Sequence, residues 1–494
     1  MADSGQNTEH TRSNKQSILF TSIVCSIIFL VLAYIALSND FTGDSGDSLT
    51  HYLYSHYSFK HPELFLNHWA KPLFVLFSSP FSQLGFKGIE IFNCLMVGLS
   101  CFFTILTAQK LKLKFWYMII VIMFFSPLYF RLIFSGLTEY MFGLALIISV
   151  YLSICKKYIP AIILASFLPF IRSEGLIIDG VFFCYLLFSR KYKLIPLLFS
   201  GHLIYCIIGD FYYHDFWWVF TKIPYTNQKS NHGHGGIFDF VHILNYVIEK
   251  PNFILLVLGF VGCSVFFIRR KLTIRDSLKR NYGLEEVILI YGGFAIFFLA
   301  HSVFWWKGLF NSGGFLMPRV INAVIPLIAL IGLSGLNLIT SAIKKPLFTN
   351  IVVGFIAIVV GIYPFKSKPQ GLVYDKNLFV LPENDLVKNQ VVPYIKNTFP
   401  DYKKYKLYYS QPYLSIQLSN DIFDTSCFGK LMNVQIDKLP TKTLIIWDDW
   451  LSPNEDGVSL EALTLDKKFA MLRSFECTDR TRHVRYVVFK KFDQ

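Results

Sequence analysis

Between Asn39 and about Gly88 the chain carries FTGDSGDSLTHY and, shortly after, HPELFLNHWAKPLF. The first stretch holds Asp44, Asp47 and His51; the second holds His61, Glu63, His68 and Lys71. A carboxylate fixed in place can take a proton from a hydroxyl nucleophile. If the segment after Gly46 is helical, Asp47 and His51 lie at i and i+4 on one face. That makes Asp47 the first candidate base and Asp44 the second. A carboxylate pair could instead hold a divalent metal. GDSGDS is also good helix-capping sequence, so at least one aspartate is expected to serve an N-terminal turn. Pro62 and Pro72 suit first helical positions and divide the second stretch into short helices. With Trp69 at the interface, this reads as an amphipathic element along the membrane. His61, Glu63, His68 and Lys71 then face its polar side, where His61, Glu63 and Lys71 join His51 as candidate substrate-binding residues.

Further groups of this kind recur at segment ends. SGLTE brings Glu139, and FIRSEG brings Arg172 and Glu174. Trp305-Trp306-Lys307 and Pro318-Arg319 flank another apolar run. Arg319 and Lys307 are candidates to hold a phosphate, which a guanidinium grips with two hydrogen bonds. Lys307 could equally snorkel to lipid headgroups. The NHGHGG stretch with His232 and His234 reads as a plain glycine-rich loop.

The elements that must position these residues are membrane spans. The 494-residue chain is 53% hydrophobic and 16% charged, with apolar runs near the length a helix needs to cross ~30 Å of hydrocarbon. The pattern gives about eleven: Ile18–Ser38, Gly88–Ala108, Phe115–Ile133, Leu137–Ile154, Ile159–Ile171, Gly175–Phe188, Leu194–Phe211, Phe253–Ile268, Val287–Val303, Val320–Ile339 and Leu347–Tyr363. No small-residue cleavage site follows the first, which reads as an uncleaved span. The formal charge of +14 lies in short connections at every second exit, as the positive-inside pattern requires, and does not point to nucleic acid. This places residues 1–17 in the cytoplasm, a multi-pass catalytic domain over 18–364 with its first outer loop at 39–87, and 365–494 outside. Ile159–Ile171 reaches only ~20 Å as helix, so the turn at Arg172 and Glu174 should sit below the outer surface, facing a wet cavity or a partner.

After Phe365 the pattern changes to strand-like runs at Lys406–Ser410, Thr443–Trp447, Phe469–Phe475 and Val484–Phe489. Helix-like segments at Asp385–Asn397 and Ser459–Leu465 lie between them, giving a small α/β domain. Cys427 and Cys477 fall here and, outside the cytoplasm, could pair or stay free. The expected fold is thus mostly α, a polytopic membrane protein with a small C-terminal α/β domain.

The order of GDSGDS, HPELFLNHWAKPLF, SGLTE, FIRSEG and GGFLMPRVINAVIP, all on the outward side, resembles the GT-C superfamily of polytopic glycosyltransferases. Its members include protein O-mannosyltransferases and aminoarabinose transferases. The resemblance implies a sugar taken from a polyprenyl-phosphate donor and passed to a glycan, lipid or protein acceptor at the outer face of the inner or plasma membrane. A first-loop carboxylate (Asp47 or Asp44) acts as base, and Arg319, Lys307 or Arg172 holds the carrier phosphate. The resemblance adds no cofactor to the divalent metal that the carboxylate pair could hold. The chain lacks the adjacent Asp-Glu pair of protein mannosyltransferases and the WWD-type motif of oligosaccharyltransferases; Trp447-Asp448-Asp449-Trp450 instead reads as a strand end. The competing readings are a transporter or flippase of lipid-linked glycans, which should show repeated halves, and a glycan polymerase or ligase.

Overall fold

The computed structural model describes residues 3–223, 234–269, 283–309, 317–366, 380–432, 439–440, 442–479 and 482–492. His232, the basic run 270–280 and the start of the GGFLMPRVINAVIP motif lie outside the described residues. The chain is mostly helical. Among the described residues, seven helices are long and apolar enough to cross a membrane: Gln16–Ser38, Phe86–Lys110, Tyr192–Tyr213, Asp239–Val265, Glu286–Lys307, Pro318–Ser341 and Pro346–Lys366. Three other expected spans fall on shorter apolar helices, Glu139–Ile154, Tyr158–Phe170 and Gly175–Phe188. The Phe115–Ile133 span is broken into Met118–Phe124 and Pro127–Leu132, because Pro127 forces Ser126 before it into extended backbone.

Burial separates bundle centre from lipid face. The helix Glu139–Ile154 and the segment Pro318–Ser341 are buried along most of their length. The first and last long helices, α1 (Asp3–Ser38) and Pro346–Lys366, expose most of their apolar side chains, as expected where lipid replaces water. The first loop folds into α2 (Asp47–Tyr57), a short turn at Pro62–Leu66, and α3 (Pro72–Ser82), which leads to α4 (Phe86–Lys110).

The C-terminal region forms a five-stranded mixed sheet in the order β2-β1-β3-β5-β4. Its strands are β1 (Lys406–Tyr409), β2 (Phe428–Gly429), β3 (Thr443–Asp448), β4 (Phe469–Asp479) and β5 (Arg482–Lys491). β3, TLIIWD, is buried throughout, as a central strand covered on both faces must be. Leu444 and Ile446 pack with the helices Val392–Thr398 and Pro412–Leu418 on one face; Ile445 and Trp447 pack with Leu463 on the other. Cys427, beside β2, and Cys477, on β4, lie on opposite edges of this sheet. Four strand spacings of ~4.8 Å separate them, far beyond disulfide reach, so the pairing considered for them does not form. Asp448 caps its own turn, accepting from the Trp450 and Leu451 amides and the Ser452 hydroxyl.

Candidate active site

The first loop is clamped onto the SGLTE turn. The Asn93 side chain of α4 holds the carbonyls of Ser135 and Leu137 at 2.6 and 3.0 Å. The Gly136 amide donates to Ser48 Oγ at 2.7 Å, and a β-carbon on Gly136 would stand 2.4 Å from the Ser48 carbonyl oxygen. Gly43 adopts φ +82° hard against Ser135, a backbone open to glycine at little cost. These contacts fix where α2 begins. Asp44 Oδ1 then accepts from the Gly46 and Ser48 amides at 3.0 and 2.8 Å, binding the first turn of α2.

Across from this turn stands Arg319, just before the buried helix Ile325–Ser341. Its Nη1 is 2.5 Å from Asp44 Oδ2, its Nη2 is hydrogen-bonded to Asp47 Oδ2, and its Nε is 3.7 Å from Glu139 Oε1. Glu139 joins this group to a second one. Arg172 Nη1 lies 2.9 Å from Glu139 and donates to Thr138 Oγ1 at 2.9 Å, while Nη2 pairs with Glu174 at 2.7 Å. His301 Nε2 is 3.8 Å from Glu174. Four carboxylates and two guanidinium groups therefore form one network. Arg172 stands in the turn between two short apolar helices, Tyr158–Phe170 and Gly175–Phe188. Asp44 and Asp47 remain 30% and 41% exposed at the side chain, so the network is enclosed by protein yet open to solvent on their side.

The two aspartates are not equivalent. Burial raises the Asp44 pKa to about 6, against the pull of Arg319 and with the added repulsion of Asp47. Burial also opposes ionisation of Asp47, but the Arg319 guanidinium outweighs it and holds its pKa below the usual carboxylate range. Asp44 divides its oxygens between the turn of α2 and Arg319. Among the described residues Asp47 uses only Oδ2, on Arg319, which leaves an oxygen for another partner. His51, one turn along α2, stacks on Trp69 with ring centroids 4.7 Å apart. Burial depresses its pKa to about 3 despite Asp47, so it is neutral, and its Nδ1 has no hydrogen-bond partner among the described residues.

Lys71 approaches from the amphipathic element. Its backbone has φ 70°, ψ 110°, costly for a residue with a β-carbon, and it directs Nζ to Ser173 Oγ at 2.8 Å, beside Arg172. Burial lowers its pKa to about 8, against the attraction of Glu174. A groove of about 90 Å³ opens there, between Lys71, His68, His202 and the apolar Phe170, Leu176 and Phe220.

The remaining candidates lie elsewhere. His61 Nε2 is 2.9 Å from Asp421 in the C-terminal region, joining loop to sheet domain, and its Nδ1 is 3.6 Å from Glu63 of its own loop. Lys307 is exposed and lies 3.7 Å above the Trp306 ring. Sequence reasoning missed Thr138, Asn93 and His301. A histidine alone in an apolar helix was the one visible signal among them. Among the described residues, no group of three or more His, Cys, Asp or Glu side chains is arranged to hold a metal; Asp44 and Asp47 converge on the Arg319 guanidinium.

No protein-family model and no curated protein matches this sequence. Among solved structures the chain is similar to the crystal structure of ArnT from Cupriavidus metallidurans bound to undecaprenyl phosphate. The superposition covers 94% of this chain and 97% of that one, with a TM-score of 0.53 and 11% identity.

Proposed function

With the GT-C-like fold of ArnT as the frame, we propose that this chain is a membrane glycosyltransferase. It would move a sugar from a polyprenyl-phosphate donor to an acceptor hydroxyl on the extracytoplasmic side of the inner or plasma membrane. The observation that carries this reading is the pairing of two first-loop aspartates with one arginine, Arg319, in a solvent-open network. A fold match at 11% identity brings no residue roles with it, so the roles below rest on the geometry.

Asp47 is the base. It is ionised across the neutral range, and its second oxygen is available to the acceptor hydroxyl. That oxygen takes the proton as the acceptor oxygen attacks the anomeric carbon from the face opposite the phosphate. The bond from the anomeric carbon to the phosphate oxygen breaks, and its electron pair leaves on the carrier phosphate. Arg319 stabilises that charge, with Arg172 and Lys71 close behind. Donors already in place where charge develops need no rearrangement at the moment of reaction. The groove beside Lys71 suits an anionic head on an apolar tail. Asp44 is a positioning residue that orients Arg319 and fixes the start of α2. Without donor, Arg319 is neutralised by the two aspartates; an arriving phosphate competes for it and releases Asp47 toward the acceptor.

The test is transfer of radiolabelled sugar from polyprenyl-phosphate donors to an acceptor pool, using membranes that contain the protein. The expected result is label in the acceptor with wild type and its loss with Asp47→Asn. Full transfer by both Asp44→Asn and Asp47→Asn would remove the first loop from the chemistry.

A further inference from the structure

Away from this network, a cavity of about 550 Å³ opens between the first part of the helix Asp239–Arg269 and the end of the helix Pro346–Lys366. Its wall includes His242, Asn245, Tyr246 and Glu249. These positions, i, i+3, i+4 and i+7, form one helical face. The other face of the same segment, Phe240, Ile243, Leu244, Val247 and Ile248, is packed into the bundle core. Tyr363 and Lys366, three residues apart, supply the opposite wall, and Lys250 closes the ring.

A polar stripe on a helix is ordinarily a solvated face. Two features set this one apart. Glu249 is only 6% exposed, and its Oε1 has no hydrogen-bond partner among the described residues; the same holds for Asn245 Oδ1. Shielded oxygens without donors are rare because each leaves a desolvation cost uncompensated. Glu249 also breaks its helix, with φ 65° and ψ 158°, a conformation almost confined to glycine. Strain of this kind persists where the surroundings hold a residue for a purpose, and here it sets a carboxylate in the wall of a cavity.

The lining is graded. The inner acceptors, Glu249 and Asn245, need hydrogen-bond donors. The outer groups, Lys250, Lys366 and His242, are exposed and offer cations or donors to an anion. Tyr246 and Tyr363 lie half-buried between them. The volume falls in the ordinary range of small-ligand sites. Trp305 Nε1 donates to Asp239 Oδ2 at 2.8 Å, and the helix of Trp305 also carries His301, so the cavity lies at the same end of the bundle as Arg319. We infer that this cavity binds a phosphorylated sugar headgroup, its hydroxyls on Glu249 and Asn245 and its phosphate on Lys250 and Lys366. The site is separate from the Arg319 network and does not depend on the donor-site reading.

The experiment is titration calorimetry of the full chain in phosphatidylcholine nanodiscs, with glucose 1-phosphate, glucose and inorganic phosphate as probes. The expected order is glucose 1-phosphate tightest. Glu249→Gln, which replaces an acceptor oxygen by a donor, should weaken it at least tenfold. Lys250→Ala should weaken glucose 1-phosphate and leave glucose unchanged, and tight binding of glucose 1-phosphate should persist in Arg319→Ala. Asn245→Leu repeats the inner-wall test should Glu249→Gln fail to elute as a single species. The inference is overturned if Glu249→Gln and Asn245→Leu bind as wild type does, or if inorganic phosphate binds as tightly as the sugar phosphate. It is equally overturned if binding disappears with Arg319→Ala, which would place the probe in the other network, or if adding phosphatidylethanolamine abolishes it, which would make an ammonium headgroup the occupant.

Discussion

Two polar clusters occupy opposite ends of the same helices, and they are built on different terms. At one end Glu285 Oε1 receives Lys156 Nζ at 2.5 Å, Tyr185 Oη at 3.0 Å and Tyr158 Oη at 3.3 Å, with Lys191 Nζ 4.4 Å above the Tyr158 ring. One carboxylate oxygen is surrounded by three donors, and it ties the turn after Glu139–Ile154 and the helix Gly175–Phe188 to the start of the helix Glu286–Lys307. At the other end four carboxylates share two guanidinium groups, Arg172 Nε and His51 Nδ1 have no hydrogen-bond partner among the described residues, and Asp47 stays open to solvent. A cluster whose groups are all matched can only hold elements together. One with spare capacity can exchange partners, and the chemistry proposed for the Arg319 end draws on that difference.

The comparison breaks most sharply on Asp47. Asp47→Asn should lower sugar transfer by ~10²–10⁴-fold, the usual loss on removing a positioned base, with unchanged yield of folded protein; Glu285→Gln should leave turnover per folded molecule intact. Transfer assays on matched amounts of both variants check this. Next, Arg319→Ala removes charge-assisted hydrogen bonds worth about 1.5–3 kcal/mol, or ~10–150-fold in kcat/KM for the donor. It also leaves Asp44 and Asp47 facing each other without a cation, so the Asp47 pKa should rise and the acid limb of the pH profile should move upward. An unmoved limb would show that Arg319 does not set the ionisation of Asp47.

A smaller effect separates the aspartates by pH. If Asp47 is the base, transfer stays level as pH falls through 6, because its pKa is held low. A tenfold drop per unit below about 6 would instead assign the base to Asp44. Stability carries the matching sign. The folded pKa of Asp44, about 6, exceeds the ordinary 3.8, so the native state binds more protons between these values and stability falls as pH rises across that window. Asp44→Asn should flatten that slope in a thermal-unfolding series. The smallest change is expected at the Glu285 end: Glu285→Gln should lower the unfolding temperature by a few degrees, since the Lys156 partner is half-exposed and screened.

What the sequence disclosed follows the range of the interactions. Helix spacing put Asp47 and His51 on one face, and the four strand-like runs fall on β1, β3, β4 and β5, because both patterns are local. The shortness of Ile159–Ile171 gave the expectation of a recessed turn at Arg172, and the structure pairs Arg172 with Glu139 and Glu174. The grip of Arg319 on Asp44 and Asp47 spans 275 and 272 residues, and nothing in residue type foretold that the group expected to hold phosphate would rest on the groups expected to take the proton. Nor could composition separate Lys71, which reaches Ser173 beside Arg172, from His61 ten residues earlier, which turns to Asp421 in the C-terminal region. The strained backbone at Lys71 helps decide between them, and strain leaves no periodic trace.

The contacts between first loop and C-terminal region also impose an order in time. Thr42 accepts from Asn384, Asp40 pairs with Lys388, and Lys60 and His61 share Asp421. A ribosome releases the loop early and these partners hundreds of residues later, so during most of its synthesis the chain carries Asp44 and Asp47 at the membrane surface without Arg319 or its brace. The site is therefore completed only when nearly the whole chain has emerged, and an unfinished chain lacks it whatever the state of its first helices.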